Sequence, residues 1–333
     1  MMCDGGKMVS PRGRRTVYYQ ANGQRLSQLA SVGQYAYMLW EDVHHRIIPY
    51  AWLSHESEFR AEVYPRAPEV ELLVLRALDP HYEYRNDLTE AVAYFIRKTV
   101  SSLLLNATVA YEIVMNLSDL SESESSDNSG PAAGPSFFLA SVPEGSYYIS
   151  GNYLCQRVPE SVAEDRGVPT TIHIPLDKIV LFQLPKSERK QVDRALARLA
   201  EVSVGRSLPK LAFPEDGEWN KAFDFRTYER SIALAVAHAT RDIGWNARGL
   251  LDKHFTEYYQ VWRQLRFEEF LIRIREAILE DLNVGLEKAG RLCGFSAKLT
   301  LRGLPTRSDV QAARRAWQEG SASFQEILAP FGF

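Results

Sequence analysis

The sequence predicts an α+β protein in which an antiparallel β-rich module is followed by a region of long helices. Short segments rich in β-branched and aromatic residues, separated by Gly and Pro turns, fall between residues 106 and 185. Over residues 223–292, apolar side chains recur at three- and four-residue steps, the spacing of long amphipathic helices. With 45% hydrophobic and 24% charged residues, the 333-residue chain has an ordinary composition for a globular protein.

We divide the chain into five segments. They are a flexible basic tail at 1–24, an N-terminal α/β segment at 25–105 that ends in a helix, an antiparallel β module at 106–185 with a mobile loop at 118–135, a long-helix region at 186–295, and a C-terminal strand with short helices at 296–333. The tail combines Gly, Pro and arginine with little apolar content, and the loop is rich in Ser, Glu, Asp and Gly.

The N-terminal segment contains one clear helix. From residue 26 to 53 the apolar period is ambiguous between helix and strand, so we predict neither. Asp87 or Thr89 can cap a helix whose apolar residues recur at helical spacing as far as Asn106. The following residues, 108–115, are suited to a strand.

The β module and the first helix of the next region follow from composition and turns. Strands are predicted at 136–142, 147–149, 153–158, 171–174 and 178–184, and a helix at 186–204. Near the C-terminus we predict a short strand at 299–301 and a helix that begins with a capping box of Thr306 and Asp309 and ends at Gly320. A last helical turn covers 324–328.

The apolar stripe of the long helical region changes face near residues 265–267. On a helical wheel, Leu251, Phe255, Tyr258, Trp262 and Leu265 lie on one side, and Phe267, Phe270, Leu271, Ile274, Ile278 and Leu282 lie nearly opposite. Gly and Pro, the common causes of kinks, are absent from 250–284, so we expect the two halves to bury against different partners. Those partners are either another subunit or other parts of the same chain. The candidate subunit-interface residues are Leu251, Phe255, Tyr258, Trp262, Phe267, Phe270, Ile274 and Ile278.

Charge and cysteine content restrict the class of protein. A net charge of −3 argues against a protein that coats nucleic acid through a basic excess. The three cysteines are widely separated and form no metal-binding pattern, which suits a reducing compartment. No run of 18 apolar residues and no signal-peptide core occur, so we expect neither a membrane span nor secretion.

No recognisable catalytic or cofactor motif is present, and we predict no enzyme, no cofactor and no metal. One alternative is an enzyme with an unfamiliar site around His44, His45, His55 and Glu58. Another is an intracellular adaptor or nucleic-acid-associated protein that uses Arg263, Arg266 and Arg273, which fall on one side of the helical wheel. Interleaved acids, including Glu269 four residues before Arg273, favour a salt-bridged helix surface over a phosphate contact.

Three segments of the chain, taken in their order along the sequence, resemble segments of one protein family. The segment 99–114 (TVSSLLLNATVAYEIV) resembles a passage from a leucine-rich helix end through a polar turn into a strand. The segment 172–180 (IHIPLDKIV) is similar to a later strand pair that leads into a helical stem. Residues 306–309 (TRSD) and 320–326 (GSASFQE) resemble a closing helix that ends at Gly and is followed by a short acidic turn. The family is that of the tailed-bacteriophage portal proteins, the head-tail connectors.

The resemblance implies a non-enzymatic protein that assembles as a closed ring of twelve copies, with the β module as its wing-like part and the long helices as its stem-like part. It implies a conduit for double-stranded DNA during packaging and ejection, at a capsid vertex of a virion assembled in the host cytoplasm. The implied partners are the major capsid protein, the terminase and the head-completion or adaptor proteins. The chain is shorter than most members of that family, and no clip insertion between two stem helices is found.

Overall fold

The computed structural model describes residues 8–9, 15–16, 33–49, 59–79, 87–116, 136–204 and 225–331. Two units are assembled from alternating stretches of the chain. The first consists of Met1–Asn22, Ile48–Leu184 and Ala277–Gly303, and the second of Gly23–Ile47, Pro185–Glu276 and Leu304–Phe333. Apart from two short strands, the predicted tail lies outside the described residues, as does the predicted loop at 118–135.

Helices and antiparallel strands are both abundant, which confirms the α+β class. The strands are β1 Met8–Val9, β2 Arg15–Thr16, β3 Arg60–Tyr64, β4 Thr108–Asn116, β5 Ser136–Val142, β6 Tyr147–Ser150, β7 Tyr153–Arg157, β8 Thr171–Pro175, β9 Ile179–Gln183 and β10 Lys298–Arg302. The helices are α1 Gln34–Arg46, α2 Pro68–Leu78, α3 Leu88–Leu105, α4 Glu160–Arg166, α5 Lys186–Ser203, α6 Phe225–Ala239, α7 Glu257–Cys293, α8 Arg307–Glu319 and α9 Phe324–Leu328. Short 3-10 turns occur at Leu176–Lys178, Ala247–Gly249 and Ala329–Phe331.

The predicted β module forms two separate sheets in the first unit. One has the strand order β5-β4-β9, and the other is the meander β6-β7-β8. Because β9 returns to pair with β4, Thr108 lies opposite Gln183, and the meander is an insertion between β5 and β9. A further pair, β3 with β10, joins residues more than two hundred positions apart in the chain.

Helix α3 leads directly into β4, the central strand of the β5-β4-β9 sheet. Its N-cap is Asp87, whose side chain accepts a hydrogen bond from the Thr89 backbone N–H at 2.7 Å. The cap satisfies one of the donors that the first helical turn leaves free. Buried apolar residues then recur along α3 as far as Leu104, and the turn at 106–107 starts β4 at Thr108. The predicted helix and strand are confirmed.

The C-terminal part of α7 covers the outer edge of β9. The carboxylate of Asp281 accepts from the Gln183 backbone N–H at 3.0 Å, and Lys288 Nζ donates to the carbonyl oxygens of Leu176 and Ile179 at 3.0 and 2.7 Å. Between these contacts lies Gly285, where a Cβ atom would come within 2.6 Å of a Val180 methyl group. The helix therefore satisfies backbone groups that an edge strand otherwise leaves open.

Buried charges hold α1 against α7 in the second unit. Arg46 forms an ion pair with Glu268, which is 7% exposed. Arg275 donates to the Ile47 carbonyl at 3.1 Å and to the Pro305 carbonyl. Burial raises the pKa of Glu268, opposed by Arg46 and Arg275. The same burial lowers the pKa of Arg275 to about 10.

Within the long-helix region, α6 and α7 are separate helices, and residues 240–256 lie between them. Helix α7 begins at Glu257, so Leu251 and Phe255 lie in the segment before it and do not share its wheel. This corrects their predicted position on the same helix face. Leu251 packs against Ala233 and Ala237 of α6.

Within α7, the change of apolar face is explained by burial on all sides. No residue from Tyr259 to Leu279 is exposed. Val261, Leu265 and Ile272 pack with residues of the C-terminal helices, including Val310 and Trp317. From residue 259 onward, both stripes are therefore covered within the chain itself, the second of the two explanations that the sequence left open.

The C-terminal elements follow the predicted pattern. A capping box joins Thr306 and Asp309, and α8 ends at Gly320, whose φ of 63° is left-handed. A second capping box joins Ser323 and Glu326 at the start of α9. In the described residues, no helix combines the length and apolar character needed to cross a membrane.

Candidate functional site

The three arginines predicted to face nucleic acid are placed very differently. Arg263 is completely buried. Its guanidinium donates to Asn246 Oδ1 at 3.2 Å, to the Ala237 carbonyl at 3.0 Å, to Thr240 Oγ1 at 2.6 Å and to the Trp245 carbonyl. It therefore joins α7 to the end of α6 and to the segment after it, and does not present its charge to solvent.

No carboxylate neutralises Arg263 among the hydrogen-bond partners that the structure describes. Burial lowers the pKa of Arg263, partly offset by the Tyr259 hydroxyl. Carbonyl and hydroxyl oxygens thus satisfy a charge that burial would otherwise make costly. The role of this side chain is structural, because it is completely buried and its donors are taken up by acceptors of α6 and of the segment after it.

Arg266 and Arg273, by contrast, line one cavity of about 410 Å³ in the second unit. The cavity lies between α5, α7, α8 and the segment after α6. Its lining residues are Glu188, Gln191, Asp242, Trp262, Arg266, Glu269, Phe270, Arg273 and Arg314. We call this cavity the arginine pocket.

Alternating charges run along the wall of the arginine pocket. Arg273 donates to Glu188 at 3.1 Å and to Glu269, and Arg314 donates to the second oxygen of Glu269 at 2.7 Å. The other oxygen of Glu188 accepts from Ser187. Three helices are thereby connected through one chain of ion pairs.

These contacts shift the protonation of the acids toward the charged form. Burial raises the pKa of Glu269, but Arg314 and Arg273 outweigh it, and the pKa lies below its usual value. Burial also raises the pKa of Glu188, but hydrogen bonds from Ser187 and Arg273 outweigh it, so this pKa too lies below its usual value. Both carboxylates are therefore ionised at neutral pH.

Arg266 lies on an aromatic surface of the pocket. Its guanidinium carbon is 5.2 Å from the centre of the Trp262 ring, and its Nε donates to the Asp242 carbonyl at 2.8 Å. The Asp242 carboxylate is paired at 2.7 Å with Arg194, which is not a lining residue. The pocket thus has one wall of cation and aromatic ring and another of ion pairs.

The candidate subunit-interface residues are mostly covered by the chain. Leu251, Phe267, Phe270, Ile274 and Ile278 are each at most 4% exposed. Phe255 and Trp262 are partly buried. Tyr258 is the exception with 57% exposure, although its ring lies 4.3 Å from that of Trp317. Burial within one chain makes five of the eight unavailable to a neighbouring subunit.

The structure describes only some of the residues of the alternative histidine site. His44 and His45 lie in the last turn of α1, where His44 stacks on Trp40 with ring centres 5.9 Å apart. His55 and Glu58 lie outside the described residues. In the part of the chain that the structure describes, no group of three or more His, Cys, Asp or Glu side chains is arranged to hold a metal ion.

Sequence reasoning found the pair of Glu269 and Arg273 but missed Glu188, which lies 85 positions away from Arg273. An acid near the start of an amphipathic helix is ordinarily a solvated residue. Glu188 is instead 2% exposed, and only the packing of α5 reveals it. No local signal distinguishes it from its neighbours.

Comparison with known proteins adds no relative. A scan against protein-family models matched no family, and a search of curated proteins found no match.

Proposed function

We propose that this chain is a non-enzymatic structural subunit of a portal-type ring, which conducts double-stranded DNA at a capsid vertex. The proposal rests on the resemblance of three segments to portal proteins in a fixed order. Its partners are further copies of itself, the major capsid protein, the terminase and head-completion or adaptor proteins. Its place is the virion, after assembly in the host cytoplasm.

The observation that carries the proposal is the local structure of those three segments. Residues 99–114 run from the end of α3 through a two-residue turn into β4. Residues 172–180 contain β8, a 3-10 turn and the start of β9. Residues 306–326 contain the capped helix α8, its left-handed Gly320 and the capped start of α9. The first segment has the helix-turn-strand structure, and the third the helix ending at Gly, that the resemblance implies. In the second segment, β8 and β9 pair with different strands and lie in separate sheets.

The change of apolar face in α7 gives this proposal no support, because the chain itself covers both stripes apart from Tyr258. A subunit contact must therefore use another surface. The hairpin of β6 and β7 exposes Tyr148, Ile149 and Tyr153 to 42%, 48% and 47%. Tyr148 and Tyr153 lie on one face of the hairpin and Ile149 lies on the other, because Tyr148 is opposite Cys155 and Tyr153 is opposite Ser150. Large apolar side chains exposed together commonly mark protein contacts, so we assign the face that carries Tyr148 and Tyr153 to the subunit interface.

Mass photometry of the purified chain tests the proposal. A closed ring of twelve 37.8 kDa subunits is expected at about 450 kDa. Tyr153→Lys should dissociate that species, because a buried lysine cannot keep its hydration in an apolar contact. Ile149→Lys makes the same kind of change at a similarly exposed apolar residue on the other face of the hairpin, so it is the matched control and should preserve the ring. A wild-type protein that remains monomeric at micromolar concentration would refute self-assembly into a ring.

A further inference from the structure

We propose that the arginine pocket binds a small oxyanion, a phosphate or carboxylate group, through Arg266, Arg273 and Arg314. The proposal is independent of the ring function, since the pocket lies within the second unit of one chain. It rests on the unequal supply of hydrogen-bond donors and acceptors in the lining, on charge and on the size of the cavity.

The carboxylates of Glu188 and Glu269 are already engaged by donors of the chain itself. Both oxygens of Glu188 accept hydrogen bonds, from Arg273 and Ser187, and both oxygens of Glu269 accept them, from Arg273 and Arg314. These carboxylates are therefore poor acceptors for a cationic ligand. A ligand that offers only donors would have to displace an existing ion pair.

The donors, by contrast, are in excess. A guanidinium carries five N–H groups. In the part of the chain that the structure describes, hydrogen bonds use two of these groups on Arg273, one on Arg314 and one on Arg266. Planar N–H pairs of this kind match the oxygens of phosphate and carboxylate. The unmet hydrogen-bonding capacity of the lining is thus that of an anion site.

The charge count agrees with this assignment. Three arginines and three carboxylates line the pocket, but the Asp242 carboxylate is neutralised by Arg194 from outside the lining. Including Arg194 leaves one positive charge in excess, partly screened from water by Trp262 and the buried Phe270. An arriving anion therefore meets a net attractive field in a partly apolar setting.

The shape of the pocket favours a small ligand over a polymer. A volume of about 410 Å³ lies in the range of small-molecule sites. Continuous contact with nucleic acid would require a basic track along the surface. Arg263, the third member of the predicted track, is completely buried. One discrete anionic group is therefore the better fit.

Isothermal titration of the full chain with inorganic phosphate and, separately, with citrate tests the proposal, with ionic strength held constant by chloride. We expect saturable binding of at least one of them at one site per chain, and the preferred anion identifies the chemical group. Arg314→Gln should weaken binding about tenfold or more, the loss expected for one charge-assisted hydrogen bond. Arg315→Gln makes the same charge change on the exposed neighbouring residue of α8 and should leave affinity within about twofold.

Circular dichroism first establishes that each variant is folded, and Arg266→Gln replaces Arg314→Gln if the latter is not. Selective loss of binding in the pocket variant supports the site. The proposal is overturned if neither anion binds the wild type, if the pocket variant binds normally, or if Arg315→Gln weakens binding equally, since the last result would indicate a general charge effect.

Discussion

Replacing Arg263 with lysine keeps the charge but removes the planar fork of donors on which the buried contacts of this side chain depend. The guanidinium serves four acceptors at once, on Asn246, Ala237, Thr240 and Trp245. A lysine ammonium has three donors on one nitrogen and cannot span that arrangement. We therefore expect Arg263→Lys to be strongly destabilising, although the substitution is conservative in charge.

The magnitude follows from the acceptors left behind. If lysine satisfies two of the four, the remaining two lose their partners in a fully buried site, at about 1–2 kcal/mol each. The expected decrease in the free energy of unfolding is about 3 kcal/mol, a large fraction of the stability of an ordinary domain. Arg266→Lys, nearly one helical turn further along α7, removes a single hydrogen bond from a half-buried side chain and should cost about 0.5–1 kcal/mol.

Urea denaturation, followed by circular dichroism, measures both variants, and fluorescence anisotropy with a DNA duplex measures nucleic-acid binding in parallel. The structural role of Arg263 requires that stability falls in Arg263→Lys far more than in Arg266→Lys. The reasoning is refuted if Arg263→Lys keeps wild-type stability within about 1 kcal/mol while losing DNA affinity, since a phosphate contact behaves in that way.

Three further changes test other contacts. Gly285→Ala should lower the free energy of unfolding by about 1 kcal/mol. Overpacking against Val180 costs roughly 2 kcal/mol, and the higher helix propensity of alanine offsets roughly 1 kcal/mol of that cost. A double-mutant cycle with Val180→Ala should give a coupling energy of about 1 kcal/mol, and strict additivity of the two changes would contradict the close approach. Burial raises the pKa of Asp281 to about 6 from 3.8, against the opposing hydrogen bond from Gln183. The folded protein therefore favours the protonated form of Asp281. The contribution of this group to stability is fully present below the pKa of the unfolded chain and is lost as pH rises through about 6. Between pH 4 and 7 the wild type should lose about 1 kcal/mol of its free energy of unfolding through this group, after allowance for solvent screening, and Asp281→Asn should abolish that loss. Equal dependence of unfolding on pH in the wild type and the variant would argue against this role of Asp281. Thr306→Ala removes the N-cap of α8 and should cost about 1 kcal/mol in thermal or urea unfolding, whereas Ser308→Ala should cost less.

Local elements were predictable because their signals lie within a few residues of one another. The cap at Asp87, the apolar spacing of α3 and the strand that begins at Thr108 need no information from distant parts of the chain. The same holds for the box of Thr306 and Asp309 and for Gly320. Helix α2, strand β3 and the nature of α1 escaped prediction, because their short or mixed apolar patterns fit more than one period.

Only part of the arginine pocket could be predicted from residue spacing. Arg266 and Arg273 were identified from one helix, as was the ion pair with Glu269. Their convergence with Arg314 and Glu188 required the packing of α5 and α8 against α7. Arg263 has the same residue type and lies on the same side of the wheel as Arg266 and Arg273, yet it is enclosed, because the end of α6 and the segment after it offer their carbonyl oxygens to it.

By itself, the sequence determined the class of the protein, most of the strands and the long helices, since these depend on residue spacing and on caps. Only the tertiary structure decided what the change of face in α7 means. No residue from 259 to 279 is exposed, so most of the apolar residues that suggested a subunit contact are covered within the chain. Periodicity reveals that a face is apolar, but the identity of the surface that covers it is a property of packing between distant segments.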